Sequence, residues 1–184
     1  MPSDVRLDPR IRRTRRDLKK ALEELLHAVP FDQVTIRDIA ARAGVAYTTF
    51  FRHYPGKEAL LADLAEDEAA RLLDASFPVL GTDGTYAACV ALCRHVAENR
   101  AVWSALLCGG ADAQMRTALI AETVKREQIW PPEHEWLPRD IGTTLVIGAI
   151  VELLAWWLRQ EKADPPERIA GILDKLLVST LVRR

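Results

Sequence analysis

The chain has 184 residues, of which 49% are hydrophobic and 28% charged, so it is long enough for two domains and too apolar to be disordered. Its apolar residues recur at helical rather than alternating spacing, which excludes a strand-rich fold. The formal net charge is only −1, but residues 1–60 hold 12 Lys and Arg against 8 Asp and Glu, whereas residues 61–184 hold 13 against 18. This split favours a polyanionic partner that binds at the N-terminal end.

The first residues and the cysteines indicate in which cellular compartment the protein is expected. The opening stretch, MPSDVRLDPR, has no apolar run, so we expect no signal peptide. Cys89, Cys93 and Cys108 are an odd number of cysteines without the spacing of a disulfide framework. Such usage is typical of a reducing compartment, and we expect a cytoplasmic protein.

A basic run opens the first predicted helix. The stretch RIRRTRRDLKK (residues 10–20) carries seven cations and one acid, and it leads into a single apolar stripe that Pro30 ends. Cations are unfavourable near the positive end of a helix dipole, so phosphate groups are favoured as their partners over a merely solvated helix start. Arg13 and Arg16 are our candidates for phosphate contacts.

Two short helices follow, and their spacing predicts a helix-turn-helix. Thr35 is a good N-cap for the first of them, with Asp38 three residues later as in a capping box. Gly44 ends this helix at a position where a positive φ is needed, and a third helix is predicted from Ala46 to Tyr54. In such a unit the second of the two short helices lies in the DNA major groove.

The third helix mixes aromatic, hydroxyl and cationic side chains. We expect Phe50 to face inward as the anchor, while Tyr47, Thr48 and Arg52 face outward toward base edges or phosphates. His53, Tyr54 and Lys57 lie at the junction with the next helix, near the DNA backbone. The alternative is a surface helix whose aromatic rings pack on a neighbouring element, above all at Tyr54.

Residues 10–64 resemble the DNA-binding domain of the TetR family of bacterial transcriptional regulators. The matching stretches are RRTRRDLKKALEELL, TIRDIAARAGV and FRHYPGKEAL. The resemblance implies that Thr35 gives its hydroxyl and amide to a phosphate and that Tyr47, Thr48 and Thr49 approach the groove. It also implies that His53 and Lys57 contact the DNA backbone.

Three positions depart from the usual family pattern. Ala46 replaces a common Ser, so the third helix lacks a side-chain N-cap, which costs about 1 kcal/mol. Thr48 stands where Gly is common, and Phe51 lacks the hydroxyl of the usual Tyr, so the operator sequence is not inferred from relatives. The predicted DNA-binding residues are Arg13, Arg16, Thr35, Ala46, Tyr47, Thr48, Thr49, Arg52, His53 and Lys57.

The remainder of the chain is predicted to be all helical. A connecting helix begins at Lys57 and ends near Pro78, and residues 78–84 form a loop. Further helices are expected at 85–100, 101–108, 112–130, 139–160 and 167–184. The predicted fold is therefore all-α, with a DNA-binding domain at residues 1–56 and a larger helical domain for ligand binding and dimerisation at residues 57–184.

The helix at 139–160 is apolar nearly all round and long enough to cross a bilayer. Thr143, Thr144 and Glu152 argue against a membrane span and favour a buried or intersubunit helix. Together with the last helix it predicts a four-helix interface in a two-fold dimer, as the resemblance also implies, with a monomeric core as the alternative. The expected interface residues are Leu145, Ala149, Leu153, Ile169, Leu173, Leu176 and Leu177.

The sequence contains none of the catalytic or nucleotide-binding motifs that we sought, so we expect neither an enzyme nor a cofactor. Cys89 and Cys93, four residues apart, are a possible start of a metal or thiol-sensing site with Cys108, but buried small apolar side chains are the favoured interpretation and no metal is predicted. The candidate effector pocket consists of Cys93, Trp103, Met115 and Trp156, with plain core packing as the alternative.

These observations and the resemblance together imply a one-component transcriptional regulator, by family habit a repressor. It is expected to bind pseudo-palindromic double-stranded DNA as a homodimer and to be released by a small aromatic or hydrophobic effector. The alternative is a helical protein–protein adaptor with only non-specific affinity for DNA.

Overall fold

A computed structural model of the chain describes residues 8–126 and 137–178, with side chains described as far as Leu176 in the second range. The regular elements in these ranges are helices. They divide into two compact units, one ending at Leu64 and the other beginning at Ala65. This division falls inside a long helix, eight residues beyond the predicted domain boundary at residues 56 and 57.

The first unit is built from three helices and the start of a fourth. In chain order these are α1 (Pro9–Leu26), α2 (Ile36–Arg42), α3 (Tyr47–Phe50) and α4 (Lys57–Thr82), with a 3₁₀ turn at Phe31–Gln33. The apolar stripe of α1 packs against α2, and α2 packs against α3. Their shared core consists of Leu18, Ala21, Leu22, Ile39, Ala40, Phe50, Leu60 and Leu61.

Local sequence sets the ends of α2. The Thr35 hydroxyl accepts the amide of Asp38 at 3.2 Å, and the Asp38 carboxylate accepts the amide of Thr35 at 3.1 Å, which completes the predicted capping box. Gly44 has φ +68°, in the left-handed region that glycine adopts without strain. A tight turn therefore joins α2 to α3, as predicted.

α3 is shorter than predicted. It covers one turn, with Ala46 as an N-cap that offers no side-chain hydrogen bond. The chain continues beyond it in hydrogen-bonded turns, in which the amides of His53 and Tyr54 donate to the Phe50 carbonyl at 2.9 and 3.0 Å. The predicted helix from Ala46 to Tyr54 is thus a helical turn followed by a tighter irregular coil.

Within residues 65–126 and 137–178, the second unit contains the rest of α4 and five further helices. α9 packs mainly against α5, while α8 packs against α6 and α7. Arg94 on α5 is paired with Glu167 on α9 at 2.8 Å. The further helices are α5 (Thr85–Glu98), α6 (Arg100–Cys108), α7 (Asp112–Lys125), α8 (Arg139–Leu158) and α9 (Pro166–Leu173), followed by a π-helical turn at Asp174–Val178.

α4 runs through Pro78, where the sequence predicted its end. Proline removes one helical hydrogen bond, but the apolar pattern continues past it, and both Phe77 and Leu80 line an interior cavity. The Thr82 hydroxyl lies 3.3 Å from the Pro78 carbonyl in the last turn. Tertiary packing therefore outweighs the local helix-breaking signal, and the predicted loop at 78–84 is reduced to the residues between Thr82 and Thr85.

α8 is long and apolar enough to cross a bilayer, with a mean hydropathy of 1.8. More than half of this apolar window is buried within the chain. The core helix of a globular protein passes the same length and composition test, so this helix is explained by its packing in the second unit.

Replacing the N-cap of α2 tests the capping box. Thr35→Ala is expected to lower the free energy of unfolding by about 1 kcal/mol, because the Asp38 amide loses its side-chain acceptor. Urea denaturation followed by circular dichroism measures this change. Thr14→Ala, on an exposed face of α1, is the matched control and should change stability by a few tenths of a kcal/mol at most.

Candidate nucleic-acid interface

The outer face of α3 presents two aromatic rings to solvent. Tyr47 is 47% exposed and Phe51 is 46% exposed, and their ring centroids lie 5.2 Å apart in an edge-to-face arrangement. Phe50, between them, is completely buried. The structure therefore separates an inward anchor from an outward face, as the sequence predicted.

Hydroxyl and cationic groups surround these rings. Ala46, Thr48 and Arg52 are exposed, and Thr49 is half-buried beside them. The guanidinium group of Arg37, from the exposed face of α2, lies 5.8 Å from the centre of the Tyr47 ring. Arg37 was not predicted as a site residue, although its place in TIRDIA, on the side opposite the buried Ile39, is a usable signal.

Thr35 uses its donors inside the chain. Its hydroxyl donates to the Asp38 carboxylate at 2.6 Å, and its amide donates to the same oxygen. These hydrogen bonds lower the pKa of the Asp38 carboxyl, which stays ionised at neutral pH. Both donors are engaged by this carboxylate, which would also repel a phosphate, and this argues against the predicted contact.

Lys57 is also engaged within the first unit. Its ammonium group donates to the carbonyls of Phe31 at 2.8 Å, Asp32 at 3.1 Å and Val34 at 2.8 Å. It also lies 4.7 Å from the centre of the Phe31 ring. An ammonium group has three N–H donors, so all of them are used by these carbonyls, which argues against the predicted phosphate contact.

The basic residues of α1 divide into two groups. Arg13 and Arg16 have side chains that are largely exposed, and among the described residues their ion pairs are long surface contacts to Asp17 at 3.8 and 3.5 Å. Exposed pairs of this kind contribute little to stability, so both cations remain available to phosphates. Arg15, which lies between them in the sequence, instead makes hydrogen bonds in an internal network.

This network joins α1, the end of the α3 segment and α4. Arg15 Nε donates to the Tyr54 hydroxyl at 3.0 Å, the hydroxyl donates to Asp63, and Arg15 Nη2 lies 3.2 Å from the Asp63 carboxylate. The bond to Tyr54 is the main cause that raises the pKa of Arg15, and burial raises the pKa of Tyr54. Tyr54 is almost fully buried, so the packing alternative for this residue is the one observed.

His53 lies beside two arginines at the edge of the interface. Partial burial, then the charges of Arg15 and Arg52, lower the pKa of its imidazole. The ring is therefore uncharged at neutral pH, and it is suited to a hydrogen bond rather than an ion pair with a phosphate.

The predicted effector-pocket residues lie elsewhere than the cavity of the second unit. Cys93, Trp103 and Met115 are completely buried core residues, and Trp156 is 42% exposed on the outside of α8. None of these four residues lines the cavity, which is bounded by α4, α5, α7, α8 and α9 and holds about 570 Å³ of empty space, part of it open to solvent. The tryptophans and the other residues predicted to line a pocket therefore lie in the core or on the surface, and the aromatic composition did not locate the cavity.

The predicted dimer residues divide by exposure. Leu145 is 60% exposed and Leu176 is 69% exposed, while Ala149 and Leu153 are half-buried on the same side of α8 as Leu145. Ile169 and Leu173 are completely buried against α5 and the rest of their own unit, so they are unavailable to a partner chain. The side chain of Leu177 lies outside the described residues.

The three cysteines fall into two environments, two of them buried and one exposed. Cys89 and Cys93 are buried, and burial raises the pKa of each thiol to about 12, whereas Cys108 is exposed. Among residues 8–126 and 137–176, no three His, Cys, Asp or Glu side chains are grouped as metal ligands would be. The two buried thiols behave as small apolar side chains at neutral pH.

Sequence comparisons identify the first unit. The family model for bacterial regulatory proteins of the tetR family matches residues 18–64. An uncharacterized HTH-type transcriptional regulator of Bacillus subtilis (strain 168), YxbF, is 34% identical over 72 residues, which cover 39% of this chain. The match spans about a fifth of the length of that curated relative, at 19%.

Solved structures extend the likeness to nearly the whole chain. A TetR transcriptional regulator from Rhodococcus sp. RHA1 has a TM-score of 0.67 at 19% identity, covering 95% of this chain and 99% of its own. FadR of Thermus thermophilus, a TetR-family transcriptional repressor in complex with lauroyl-CoA, has a TM-score of 0.65 at 17% identity, covering 92% of this chain and 96% of its own. At these identities the likeness establishes the fold.

A helix-turn-helix unit with an exposed α3 face, followed by a larger helical unit, is the architecture that this chain shares with those regulators. Over residues 18–64 the chain is similar to the bacterial regulatory proteins of the tetR family, and its described helices share the fold of TetR-family regulators. Its relatives are transcriptional regulators and not enzymes.

The internal role of Lys57 is separable from DNA binding. Lys57→Met should lower the free energy of unfolding by about 2 kcal/mol, because three carbonyls lose a charged donor. For the folded variant, the salt dependence of DNA affinity should stay unchanged. Arg52→Met is the comparison and should reduce the slope of log affinity against log salt by about one. A matching reduction in Lys57→Met would show that its ammonium group reaches a phosphate.

Thiol labelling tests the burial of the cysteines. With an aromatic disulfide reagent at pH 8, one thiol per native chain should react quickly and two should react only after unfolding. Cys108→Ser should abolish the rapid phase and leave the slow one. Rapid labelling of all three thiols would contradict the buried placement of Cys89 and Cys93.

Proposed function

We propose that the protein is a homodimeric transcriptional repressor that binds a pseudo-palindromic operator and is released by a small lipophilic effector. The observation that carries this proposal is the exposed face of α3, where two rings, two hydroxyls and an arginine surround a fully buried anchor. A surface without a binding partner rarely exposes two adjacent aromatic rings beside cations.

Each part of this face suits a different feature of DNA. The Tyr47 and Phe51 rings offer apolar contact to thymine methyl groups in the major groove, and the Thr48 hydroxyl and Arg52 guanidinium offer hydrogen bonds to base edges. Arg13, Arg16 and Arg37 supply cations for phosphates, and His53 supplies a neutral donor. The proposed contact residues are Arg13, Arg16, Arg37, Ala46, Tyr47, Thr48, Thr49, Phe51, Arg52 and His53.

Dimerisation is proposed through the outer face of α8 and the end of the chain that follows α9. Ile141, Leu145 and Trp156 are exposed large apolar side chains on α8, and Leu176 is a further one. A two-fold pair of such faces buries them against their own copies. The dimer is needed mechanistically, because two recognition helices about 34–36 Å apart fit successive major grooves.

Effector release requires that the ligand favour one conformation of the dimer. A ligand with equal affinity for the two conformations does not shift the equilibrium between them. The proposed effector must therefore bind more tightly to the conformation that does not fit the operator. The interior cavity of the second unit supports an effector site, and a fold neighbour holds an acyl ligand, lauroyl-CoA. The proposed setting is the cytoplasm, where the chromosome is accessible.

The protein–protein adaptor is the second candidate, favoured only by the exposed apolar side chains of α8. Selection of genomic DNA fragments at two salt concentrations separates the candidates. Enrichment of one inverted repeat that survives the higher salt is expected for the regulator. Uniform binding that disappears with salt would leave only phosphate attraction and would support the adaptor.

Tyr47 is expected to read sequence more than it adds general affinity. Tyr47→Ala should weaken operator binding about tenfold, a loss of the order of one or two base contacts, and leave binding to random DNA nearly unchanged. Fluorescence anisotropy with both DNAs measures the two affinities. Tyr86→Ala, an exposed tyrosine of the second unit, is the control. Equal losses on specific and random DNA would refute a role in readout.

Charging the proposed dimer face should give monomers. Leu176→Glu places a carboxylate in an apolar contact, and we expect a lower sedimentation coefficient and a loss of operator affinity of at least tenfold. Val124→Glu changes another exposed apolar residue, on α7, and should leave both properties intact. An unchanged sedimentation coefficient for Leu176→Glu would dismiss this face as the interface.

A further inference from the structure

The cavity of the second unit is lined by apolar side chains from several helices. Leu73, Phe77 and Leu80 come from α4, Leu92 from α5, and Ile147 and Ile150 from α8. No charged side chain lies among its lining residues in the described part of the chain. A ligand that enters this space loses its hydration without gaining an ion pair, so a net charge on the buried end is disfavoured.

Three residues with hydroxyl groups also line the cavity, and they differ in their hydrogen bonds. The Ser76 hydroxyl donates to the Leu72 carbonyl at 2.9 Å, as buried helical serines commonly do. Thr143 is the second, and Thr123 the third. Thr123 is nearly fully buried, and its oxygen has no hydrogen-bond partner within the described residues.

The unpartnered state of Thr123 is unusual within its own helix. Thr117, six residues earlier on α7, donates to the Ala113 carbonyl at 2.9 Å. Thr123 makes no such bond, although a buried hydroxyl without a partner is destabilising. A free hydroxyl on the wall of an apolar cavity is therefore a polar feature that is open to a ligand.

A carboxylate lies close to the cavity. Asp174 follows the cavity residue Leu173, and one of its carboxylate oxygens is buried without a hydrogen-bond partner in the described residues. Burial first, and then the charge of Asp174, raise the pKa of the cavity residue Cys89 to about 12. A carboxylate that follows the cavity residue Leu173 disfavours anionic ligands such as fatty acids.

We propose that the cavity binds an uncharged lipophilic alcohol or phenol, whose oxygen exchanges a hydrogen bond with the Thr123 hydroxyl. This assignment deepens the proposed function by naming the effector class, and its regulatory meaning rests on that function. The hydrocarbon part of the ligand packs on the apolar side chains of α4 and α8. Thr123 positions the oxygen and distinguishes alcohols from hydrocarbons of the same shape.

Binding to the purified full-length protein, without DNA, tests the ligand class by calorimetry. One matched set is linear: 1-octanol, octanoate and n-octylamine, the last protonated at pH 7. The second set has a ring: 4-propylbenzyl alcohol, 4-propylbenzoate and 4-propylbenzylamine. In at least one set the alcohol should bind at least tenfold more tightly than both of its charged counterparts.

Two variants locate the hydrogen bond. Thr123→Val keeps the shape and removes the hydroxyl, so it should weaken alcohol binding about five- to tenfold. Its melting temperature should be unchanged or higher, because the removed hydroxyl had no partner, and this shows that the variant folds. Thr117→Val, on the exposed face of α7, should leave alcohol affinity unchanged.

Each other outcome overturns the proposal. Tighter binding of the amines would assign a cation site near Asp174, and tighter binding of the carboxylates would contradict the repulsion argued above. Binding of none of the six compounds would refute a lipophilic site, and unaltered affinity in Thr123→Val would refute the hydrogen bond. Operator selection is measured without ligand, so a failure here leaves the DNA-binding proposal standing, and the reverse also holds.

Discussion

The structure of the candidate interface depends on the burial of Phe50. α3 is a single helical turn, without a side-chain N-cap, and so short a helix is unstable on its own. Its orientation is therefore set from outside, by a completely buried ring at Phe50 and by Tyr54, which is tied to α1 and α4 through Arg15 and Asp63. The side chains that face solvent need no structural partners, which leaves them open to a base sequence.

The hydrogen-bond donors of the first unit show which polar residues serve the fold and which are available to bind DNA. A hydroxyl or ammonium group that is committed to an internal acceptor is no longer available to a phosphate. Thr35 and Lys57 both have the residue type and place of a phosphate ligand, and in both the donors are used within the first unit. The exposed cations Arg13, Arg16 and Arg37 lack such strong internal partners and remain better suited to DNA.

Sequence reasoning predicted the first unit more closely than the second. The helix-turn-helix rests on local signals, the capping box at Thr35 and the positive φ at Gly44, and these act over a few residues. The second unit depends on which of several apolar faces packs against which, and composition does not carry that information. Ile169 and Leu173 were expected at a dimer interface but are buried within the chain, and Trp156 was expected in a pocket but is exposed. At Pro78 the sequence contains a residue that disfavours helix, but the packing of Phe77 and Leu80 keeps α4 helical through this position.

The continuity of α4 has a consequence for cooperativity. The division between the two units falls between Leu64 and Ala65, inside this helix. Its first turns place Leu60 and Leu61 in the core of the first unit, and its later turns place Leu72 and Leu73 in the core of the second. Helical hydrogen bonding propagates from turn to turn, so unravelling that begins in either core extends along the same helix. α4 is therefore the element through which the loss of one core weakens the other.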